Sequence, residues 1–504
     1  MPILGEYLTV KEMVAVEMNA QYLGVSTQLM MENAGRAIAN EIMKRFPEGS
    51  KVISVSGLTG NGGDAFTAAR HLLCMGYFVE SLVLGDPKNI TLQNSRVNYS
   101  ALLNMKDSVK ITSIKDSSLI PEIDADVIID GLIGTSLHGP LRPPFLQMVQ
   151  AINKADAYRV SVDIPTGMEA DTGAIYGEVV KADLTLTFHK PKMGYKQNPS
   201  ATKELIPTSI GIPPEAEQYI GPGDVFMLNP ERDPESHKGM WGSLLVVGGS
   251  ETYSGAPTLS SLAAYRMGLD LVYTAVPETA AVAVAAASPS MITVKLKGER
   301  LTPNNLKQLE TPLEKVSAVI VGPGLGMAPD TIEAVRELVE MVKQRDIPLV
   351  LDADGLKAYA ENPIKLKVPV VFTPHSREFI VLTGMAAKGT HLEKGSVVQS
   401  EAKRLGAVVL LKGNVDIISN GTYTRYNWTG NPGMTVGGTG DVLTGIVGAY
   451  LAQKADPFYA AGAAAYINGR AGDMVAEEKG YHLLPEDLIK MIPKVVEDCL
   501  SHRV

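Results

Sequence analysis

Sulfur chemistry has little to work with in this chain. Two cysteines, Cys74 and Cys499, stand among 504 residues. They are too few for a disulfide framework and match no zinc-ligand spacing, so reduced thiols of a cytosolic protein are expected. Basic residues are outnumbered too: 46 Lys and Arg against 55 Asp and Glu leave a net charge of −9. A nucleic-acid surface needs clustered Lys and Arg, so a nucleic-acid partner is not expected. Long apolar runs are missing. The most apolar stretch, Ala280 to Ala287 between Pro277 and Pro289, falls far short of the roughly 20 residues a bilayer requires. The start, Met1-Pro2-Ile3-Leu4-Gly5-Glu6, has no basic segment leading into an apolar one, so no signal peptide is expected. Short-period repeats and low-complexity segments are absent as well. These absences point to a soluble cytoplasmic protein with no membrane partner.

What is present is ordinary for a large globular protein: 45% hydrophobic and 20% charged residues. Length alone suggests about three domains at roughly 150 residues each. Short Val- and Ile-rich runs alternate with helical patterns. Lys51–Ser56, Asp126–Asp130 and Arg159–Asp163 read as buried strands, and Gly63–Met75 and Phe145–Lys154 as helices. Such alternation predicts an α/β fold with a mostly parallel sheet covered on both faces. The pattern pauses over residues 211–236, where Pro213, Pro214, Gly221, Pro222, Gly223, Pro230 and Pro234 cluster. Loops and linkers look like this, which puts a domain boundary near residue 222. The alternation then restarts, with strands at Ser243–Val247, Ala318–Val321, Leu349–Asp352, Val370–Thr373 and Val408–Leu411. A hairpin follows around Asn420-Gly421, then helices Gly440–Ala452 and Pro457–Glu477.

The sharpest motif is Asn431-Pro432-Gly433-Met434-Thr435-Val436-Gly437-Gly438-Thr439-Gly440-Asp441. Its glycines let successive backbone N–H groups converge on an anion at a helix N-terminus. Asp441 then falls in the first helical turn, where a carboxylate can take a proton from a hydroxyl while the nest holds a phosphoryl group. A lone Gly-x-Gly-Asp is more often a turn with a capping Asp. Here several companions end predicted parallel strands, where open α/β sheets bind ligands. They are Leu411-Lys412-Gly413, Gly322-Pro323-Gly324-Leu325-Gly326, Asp352-Ala353-Asp354 and Thr373-Pro374-His375-Ser376-Arg377-Glu378. Lys412 reads either as a phosphate contact or as a solvated strand end, His375 as a catalyst or a loop hydrogen-bonder, and Glu378 as a ligand contact or a first-turn charge. Glycine at 322–326 would let a ligand approach the backbone closely.

With Lys238-Gly239, Trp241-Gly242 and Val246-Val247-Gly248-Gly249-Ser250, these residues make the chain from about 224 onward resemble the ribokinase-like NAD(P)H-hydrate dehydratases. The resemblance implies a nucleotide-driven removal of water from hydrated NADH or NADPH. It implies that the hydrated dinucleotide is contacted by Ala256, Gly326, the run His375-Ser376-Arg377-Glu378-Phe379-Ile380-Val381, and Asp441. ADP or ATP, with Mg2+ bridging its phosphates, would be contacted by Lys412-Gly413-Asn414-Val415-Asp416 and by Asn431 to Gly440. Ser376-Arg377 departs from the family's Pro-Gly. The fused architecture resembles microbial members that use ADP.

In the first half, Gly57-Leu58-Thr59-Gly60-Asn61-Gly62-Gly63-Asp64 follows a strand and opens a helix. It is either a phosphate-binding turn or a tight strand–helix turn. Asp130-Gly131-Leu132-Ile133-Gly134-Thr135-Ser136 and Ser161-Val162-Asp163-Ile164-Pro165-Thr166-Gly167 follow two more strands. Asn61, Asp130 and Thr166 all offer oxygen, which suits a hard cation. This half, about 1–220, resembles the NAD(P)H-hydrate epimerases, with Glu32-Asn33-Ala34-Gly35 fitting the family's N-terminal helix. The resemblance implies a potassium ion on Asn61, Asp130 and Thr166, and substrate contacts from Asn61-Gly62-Gly63-Asp64, from Gly134-Thr135-Ser136-Leu137-His138-Gly139-Pro140, and from Asp163 as proton shuttle. Gly60, Ala65 and Thr166 stand where the family has Asn, Gly and Ser.

Together the two resemblances imply a bifunctional repair enzyme, a homo-oligomer acting on NADHX and NADPHX, with an epimerase at 1–222 and a dehydratase at 223–504. The rival enzyme reading is a ribokinase-like small-molecule kinase fused to a nucleotide-binding domain. A non-catalytic nucleotide sensor is the other rival, and Asp441 beside the nest counts against it.

Overall fold

A computed structural model describes residues 5–501; the first four residues of the N-terminal stretch considered for a signal peptide lie outside them. The described chain separates into two compact units between Ala216 and Glu217, ahead of the boundary expected near 222. The segment expected to be loop carries a helix, Pro222–Leu228, with proline in its first turn and the Asp224 carboxylate accepting from Gly221 N–H at 2.9 Å. Buried Arg425 donates to the carbonyls of Glu217 (2.7 Å) and Tyr219 (2.9 Å) and to both carboxylate oxygens of Asp224. Ile220 and Val225 pack into the second unit's core. The residues just after Ala216 are therefore anchored within the second unit.

The first unit is a seven-stranded sheet: β1 Lys51–Ser56, β2 Phe78–Leu84, β3 Val109–Ile114, β4 Val127–Gly131, β5 Tyr158–Val162, β6 Ala182–Phe188 and β7 Thr202–Thr208. The order is β3-β2-β1-β4-β5-β6-β7 and every pairing is parallel. The winding direction reverses between β1 and β4, the switch point at which such sheets bind ligands beyond their carboxyl ends. Val52, Val55, Ile128 and Ile129 are fully buried, each contributing about 1.5–3 kcal/mol.

Helix α1 (Val10–Tyr22) opens on a reciprocal cap, Glu12 N–H to Thr9 Oγ1 and Thr9 N–H to Glu12 Oε2. Helix α2 (Thr27–Met43) buries Met30, Met31, Ala34, Ile38 and Ile42 at helical spacing. Helix α3 (Gly60–Cys74) begins earlier than the expected Gly63, so Asn61 to Asp64 form its first turn. A Cβ on Gly35 of α2 would lie 2.3 Å from Thr67 Cβ of α3. Glu32 pairs with Arg70 and, at 2.8 Å, with His71. The Glu32–Gly35 motif is thus the seam joining these helices.

The second unit has nine strands: β8 Ser243–Val247, β9 Leu271–Pro277, β10 Ile292–Leu296, β11 Ala318–Val321, β12 Leu349–Leu351, β13 Val370–Phe372, β14 Val408–Leu411, β15 Asp416–Ser419 and β16 Thr424–Asn427. Their order is β10-β9-β8-β11-β12-β13-β14-β15-β16, parallel up to β14 and antiparallel from there to β16. The helix Thr439–Ala452 is buried on all sides from Val442 onward. Its Gly445 lets Ser260 O approach to 2.2 Å of where a Cβ would stand, and Gly448 does the same for Ile320 Cδ1 at 2.5 Å. Among the described residues no helix is long and apolar enough to cross a membrane, and both cysteines are free.

Candidate functional site

In the second unit, the turn into helix Thr439–Ala452 holds Gly438 at φ +106° with no side chain capping the helix. A Cβ at Gly437 would meet nothing within 4 Å. One at Gly440 would meet only Lys412 Nζ, at 3.4 Å. Backbone N–H groups at a helix start, open space and an ammonium therefore share one place, the requirements for binding phosphate. A cavity of about 560 Å3 adjoins it, lined by Lys412, Gly413, Asn414, Asp416, Asn431, Pro432, Met434, Thr435, Thr439 and Gly440. Thr429, Gly430, Leu443, Asn468 and Gly469 also line it. Sequence reasoning missed these because Asn468 and Gly469 sit far along the chain, inside the helix Pro457–Lys479. Gly433 is buried, and Val436 packs against the core.

Lys412 is not a solvated strand end. Its Nζ lies 2.9 Å from Asp352 Oδ1, and it is largely buried. Burial alone would raise the Asp352 carboxyl, but the Lys412 ammonium, with the Thr373 and Thr444 hydroxyls each at 2.8 Å, holds it below the usual carboxylate range. Asp441 has no such partner. Burial first, then the charge of Asp352, push its carboxyl up to about 7, with Lys412 pulling the other way. A base poised near neutrality is what proton abstraction at pH 7 needs. Asp354 and Glu378 also raise it, which brings the polar ends of β12 and β13 to the same site. Gly326 N–H donates to Asp354 Oδ2 at 2.9 Å, and Ala256 stands beside Gly324. Burial likewise raises the Asp416 carboxyl to about 6, against bonds from Asn427 and Gly413 N–H.

Several expectations change here. Phe379 is fully buried in a hydrophobic cluster with Val398, Val409 and Tyr426, so it faces the core rather than a substrate; its neighbours Ile380 and Val381 are exposed. His375 caps the helix Ser376–Thr383, its Nδ1 accepting from Arg377 N–H (3.1 Å) and Glu378 N–H (3.3 Å). Glu378 returns the bond to His375 N–H at 3.0 Å. Gly322, at φ +141°, makes room for the chain itself: a Cβ there would lie 1.8 Å from Asp352 O.

In the first unit, glycines of the β1–α3 turn also serve internal packing. A Cβ on Gly57 would meet Leu132 O at 2.0 Å, and one on Gly62 would meet Gly57 O at 2.1 Å. Gly134 leaves space for Asn61, whose Oδ1 would stand 2.4 Å from an added Cβ. Asn61 Nδ2 donates to Val162 O at 2.9 Å. Asp130 is fully buried, accepting from Thr166 Oγ1 (2.6 Å), Thr166 N–H (2.9 Å) and Ser161 Oγ (2.8 Å). Burial raises its carboxyl, opposed only by hydrogen bonds. An oxygen-only cluster around a buried carboxylate fits a potassium ion, which would offset that desolvation. Among the described residues no three His, Cys, Asp or Glu gather as a metal cage. Of the 134–140 run, Leu137 is buried, whereas the His138 side chain is exposed and lies 3.4 Å from Glu169.

Asp163 occupies a left-handed turn, φ +62°, closed by Ile164 N–H to Val162 O at 2.7 Å. Non-glycine residues are held there at a cost, and functional sites collect them. Its Oδ1 accepts from Lys192 Nζ, Thr187 Oγ1 (3.1 Å) and Phe188 N–H (3.0 Å). Lys192, 1% exposed, went unread in the sequence; a lysine inside Lys190-Pro191-Lys192-Met193 gives no sign of burial.

Family comparisons match both units. A family model described as NAD(P)H-hydrate dehydratase covers residues 244–494, and one described as YjeF-related protein N-terminus covers 27–194. The bifunctional NAD(P)H-hydrate repair enzyme Nnr of Hyperthermus butylicus is 41% identical over 500 residues, spanning 98% of this chain and 93% of its own. The chain belongs to the bifunctional NAD(P)H-hydrate repair enzyme family. A second member, from Pyrobaculum aerophilum, is 42% identical over 498 residues, 97% of this chain and 98% of its own. Part of the repair-enzyme fold is also shared by a solved ribokinase-like superfamily protein from Enterococcus faecalis. That structure is 25% identical with a TM-score of 0.50, covering 56% of this chain and 96% of that one.

Proposed function

We propose that this protein repairs hydrated NADH and NADPH, the first unit interconverting the R and S hydrates and the second dehydrating the S hydrate at the expense of ADP or ATP. The supporting observation is Asp441, raised to about 7 and set beside the glycine nest and Lys412. The hydrate carries a hydroxyl on the nicotinamide carbon next to the ring nitrogen, and hydroxide leaves poorly. Asp441 takes the hydroxyl proton as that oxygen attacks the terminal phosphorus of the nucleotide, releasing AMP from ADP or ADP from ATP. The 437–440 amides and Lys412 stabilise the phosphoryl oxygens. Phosphate then leaves with the C–O bonding pair, and loss of the neighbouring ring proton restores the double bond. Mg2+, carried on the nucleotide phosphates rather than in a protein cage, would neutralise part of their charge.

In the first unit Asn61, Asp130 and Thr166 would hold K+, fixing the turns that carry Asp64, Gly134 and Asp163. Substrate contacts at Asn61–Asp64, Gly134–Pro140, Ala256, Gly326 and His375–Val381, less the buried Phe379, belong to this reading. So do a cytoplasmic location and a homo-oligomeric state.

The test is direct: hydrated NADH is incubated with the protein and either ADP or ATP, and the NADH absorbance is followed along with released phosphate. Recovery of absorbance with stoichiometric phosphate is expected. A lasting phosphorylated product would mean a small-molecule kinase, and no turnover a nucleotide sensor.

A further inference from the structure

Helix α1 precedes the stretch matched by the YjeF-related family model, which begins at residue 27, and none of the motifs above includes it. The structure nevertheless stitches it to the Asp163 site. Leu8 N–H donates to Pro191 O at 3.0 Å, and Met193 N–H donates to Leu8 O at 2.8 Å, flanking Lys192 with a parallel bridge one residue before the Thr9 cap. At the far end of the helix, Asn19 Nδ2 holds Ala216 O at 3.2 Å. Two turns into α1, Glu17 stands half-buried. The charged groups acting on it are Lys192 and Asp163, and it acts in turn on Asp64. Three carboxyl groups thus share the field of one ammonium, and that ammonium is bonded to Asp163.

We infer that Glu17 is the proton donor of the epimerisation, working opposite Asp163 on the two atoms that ring opening separates. This rests on the epimerase reading of the first unit. The hydrate is a hemiaminal, so its carbon can invert without any oxidant. Asp163 takes the hydroxyl proton, the oxygen lone pair forms C=O, and the C6–N1 bonding pair goes to N1, which takes a proton from Glu17. Rotation about C5–C6 turns the aldehyde's other face to N1. The reverse transfers then close the ring, returning both protons to their starting groups. Lys192 Nζ is bonded to Oδ1 of this same Asp163 carboxyl group.

Glu17 rather than Asp64 suits the donor role. Burial, opposed by Lys192 and assisted by Asp163, raises Glu17 to about 7, where it can give and regain a proton at neutral pH. Burial together with the charges of Asp163 and Glu17 keeps Asp64 well above the usual range, which suits a proton that stays in place.

The experiment measures epimerisation of purified R hydrate by the full-length protein, above the spontaneous rate, for wild type, Glu17→Gln and Glu17→Asp. In wild type the rate should fall as pH rises through about 7, because the donor form is lost. Glu17→Gln should lower kcat on the order of 100-fold with KM little changed, lose that alkaline limb, and unfold at the same temperature as wild type or higher. Glu17→Asp should recover part of the rate and the limb. A structural role would instead lower the unfolding temperature and leave the pH profile in place. Wild type that epimerises, with Glu17→Gln matching its rate and profile, overturns this inference alone; wild type that does not epimerise overturns the epimerase reading beneath it.

Discussion

In the second unit the buried lysine, Lys412, is bonded to Asp352, a carboxylate that no step of the proposed chemistry uses, and the proposed base, Asp441, is left to the combined push of burial and negative neighbours. In the first unit the buried lysine, Lys192, is bonded to the proposed proton shuttle, Asp163, itself, and burial and negative neighbours act on Glu17 and Asp64. Both sites lie beyond the carboxyl ends of parallel strands, and both combine one ammonium with several carboxyls. The choice of which carboxyl receives the ammonium decides whether a site offers an isolated base beside a phosphate nest or a paired acid and base.

The largest effect that could break this comparison is at Asp441. Asp441→Asn should lower dehydration by about two to four orders of magnitude while epimerisation continues at the wild-type rate, both followed from the same preparation. An undiminished rate would reduce Asp441 to a helix residue. The same change should stabilise the second unit. With its folded pKa raised to about 7 from 3.8, Asp441 binds a proton in the folded state that the unfolded chain has released. Stability is therefore lost as pH rises between those values, and the variant, with nothing to ionise, should melt higher than wild type at pH 8.

Next comes Lys412→Met. It strands the buried Asp352 carboxylate and should cost roughly 3–5 kcal/mol in denaturant unfolding. Adding Asp352→Asn should recover most of that stability without restoring dehydration, because the phosphate contact stays absent. Recovery of activity in the double variant would mean that Lys412 serves only Asp352.

A smaller and sharper contrast lies in pH. Dehydration should rise about tenfold per unit below about 7 and level off above it, as the base form of Asp441 appears. Epimerisation should decline above that value, so the two activities of one chain should cross. Parallel profiles would erase the distinction between the sites.

The smallest expected change is at the ion site. Asp130→Ala leaves Asn61 and Thr166 as neutral oxygens and should abolish the potassium response of epimerisation, with dehydration of the S hydrate continuing. A potassium titration at constant ionic strength, held with choline, reads it. A variant that keeps the wild-type response would remove Asp130 from the site.

The sheet was legible because its strands are contiguous Val- and Ile-rich runs: Lys51–Ser56, Ser243–Val247, Ala318–Val321 and Val408–Leu411 lie where hydrophobic patterning puts them. The nest was legible for the same reason, its glycines and its acid standing side by side from Gly437 to Asp441. What depends on folding was not. Nothing near Lys192 or Glu17 announces that folding brings residues so far apart in the chain within reach of each other's charge. Asn468 lines the cavity beside the glycine nest from the middle of an alanine-rich helix that reads as core. Phe379 sits in a run of expected contacts, but helical geometry turns one residue in three or four inward. Gly57 and Gly322 were read for ligands because a glycine's spacing does not say whether the close neighbour is a substrate or the next strand.

The helix behind Asp441 is seamed to its surroundings by Gly445 and Gly448, each of which admits another element closer than any side chain would allow. Its register and tilt are fixed by contact on every side, so the nest and its acid are delivered as a finished part. Anyone redirecting this enzyme to another hydrated or hydroxylated substrate should leave residues 442–452 untouched and search for variety at exposed positions such as Met327, Ile380 and Val381. The scaffold's capacity for change lies outside the helix Thr439–Ala452, which has none to give.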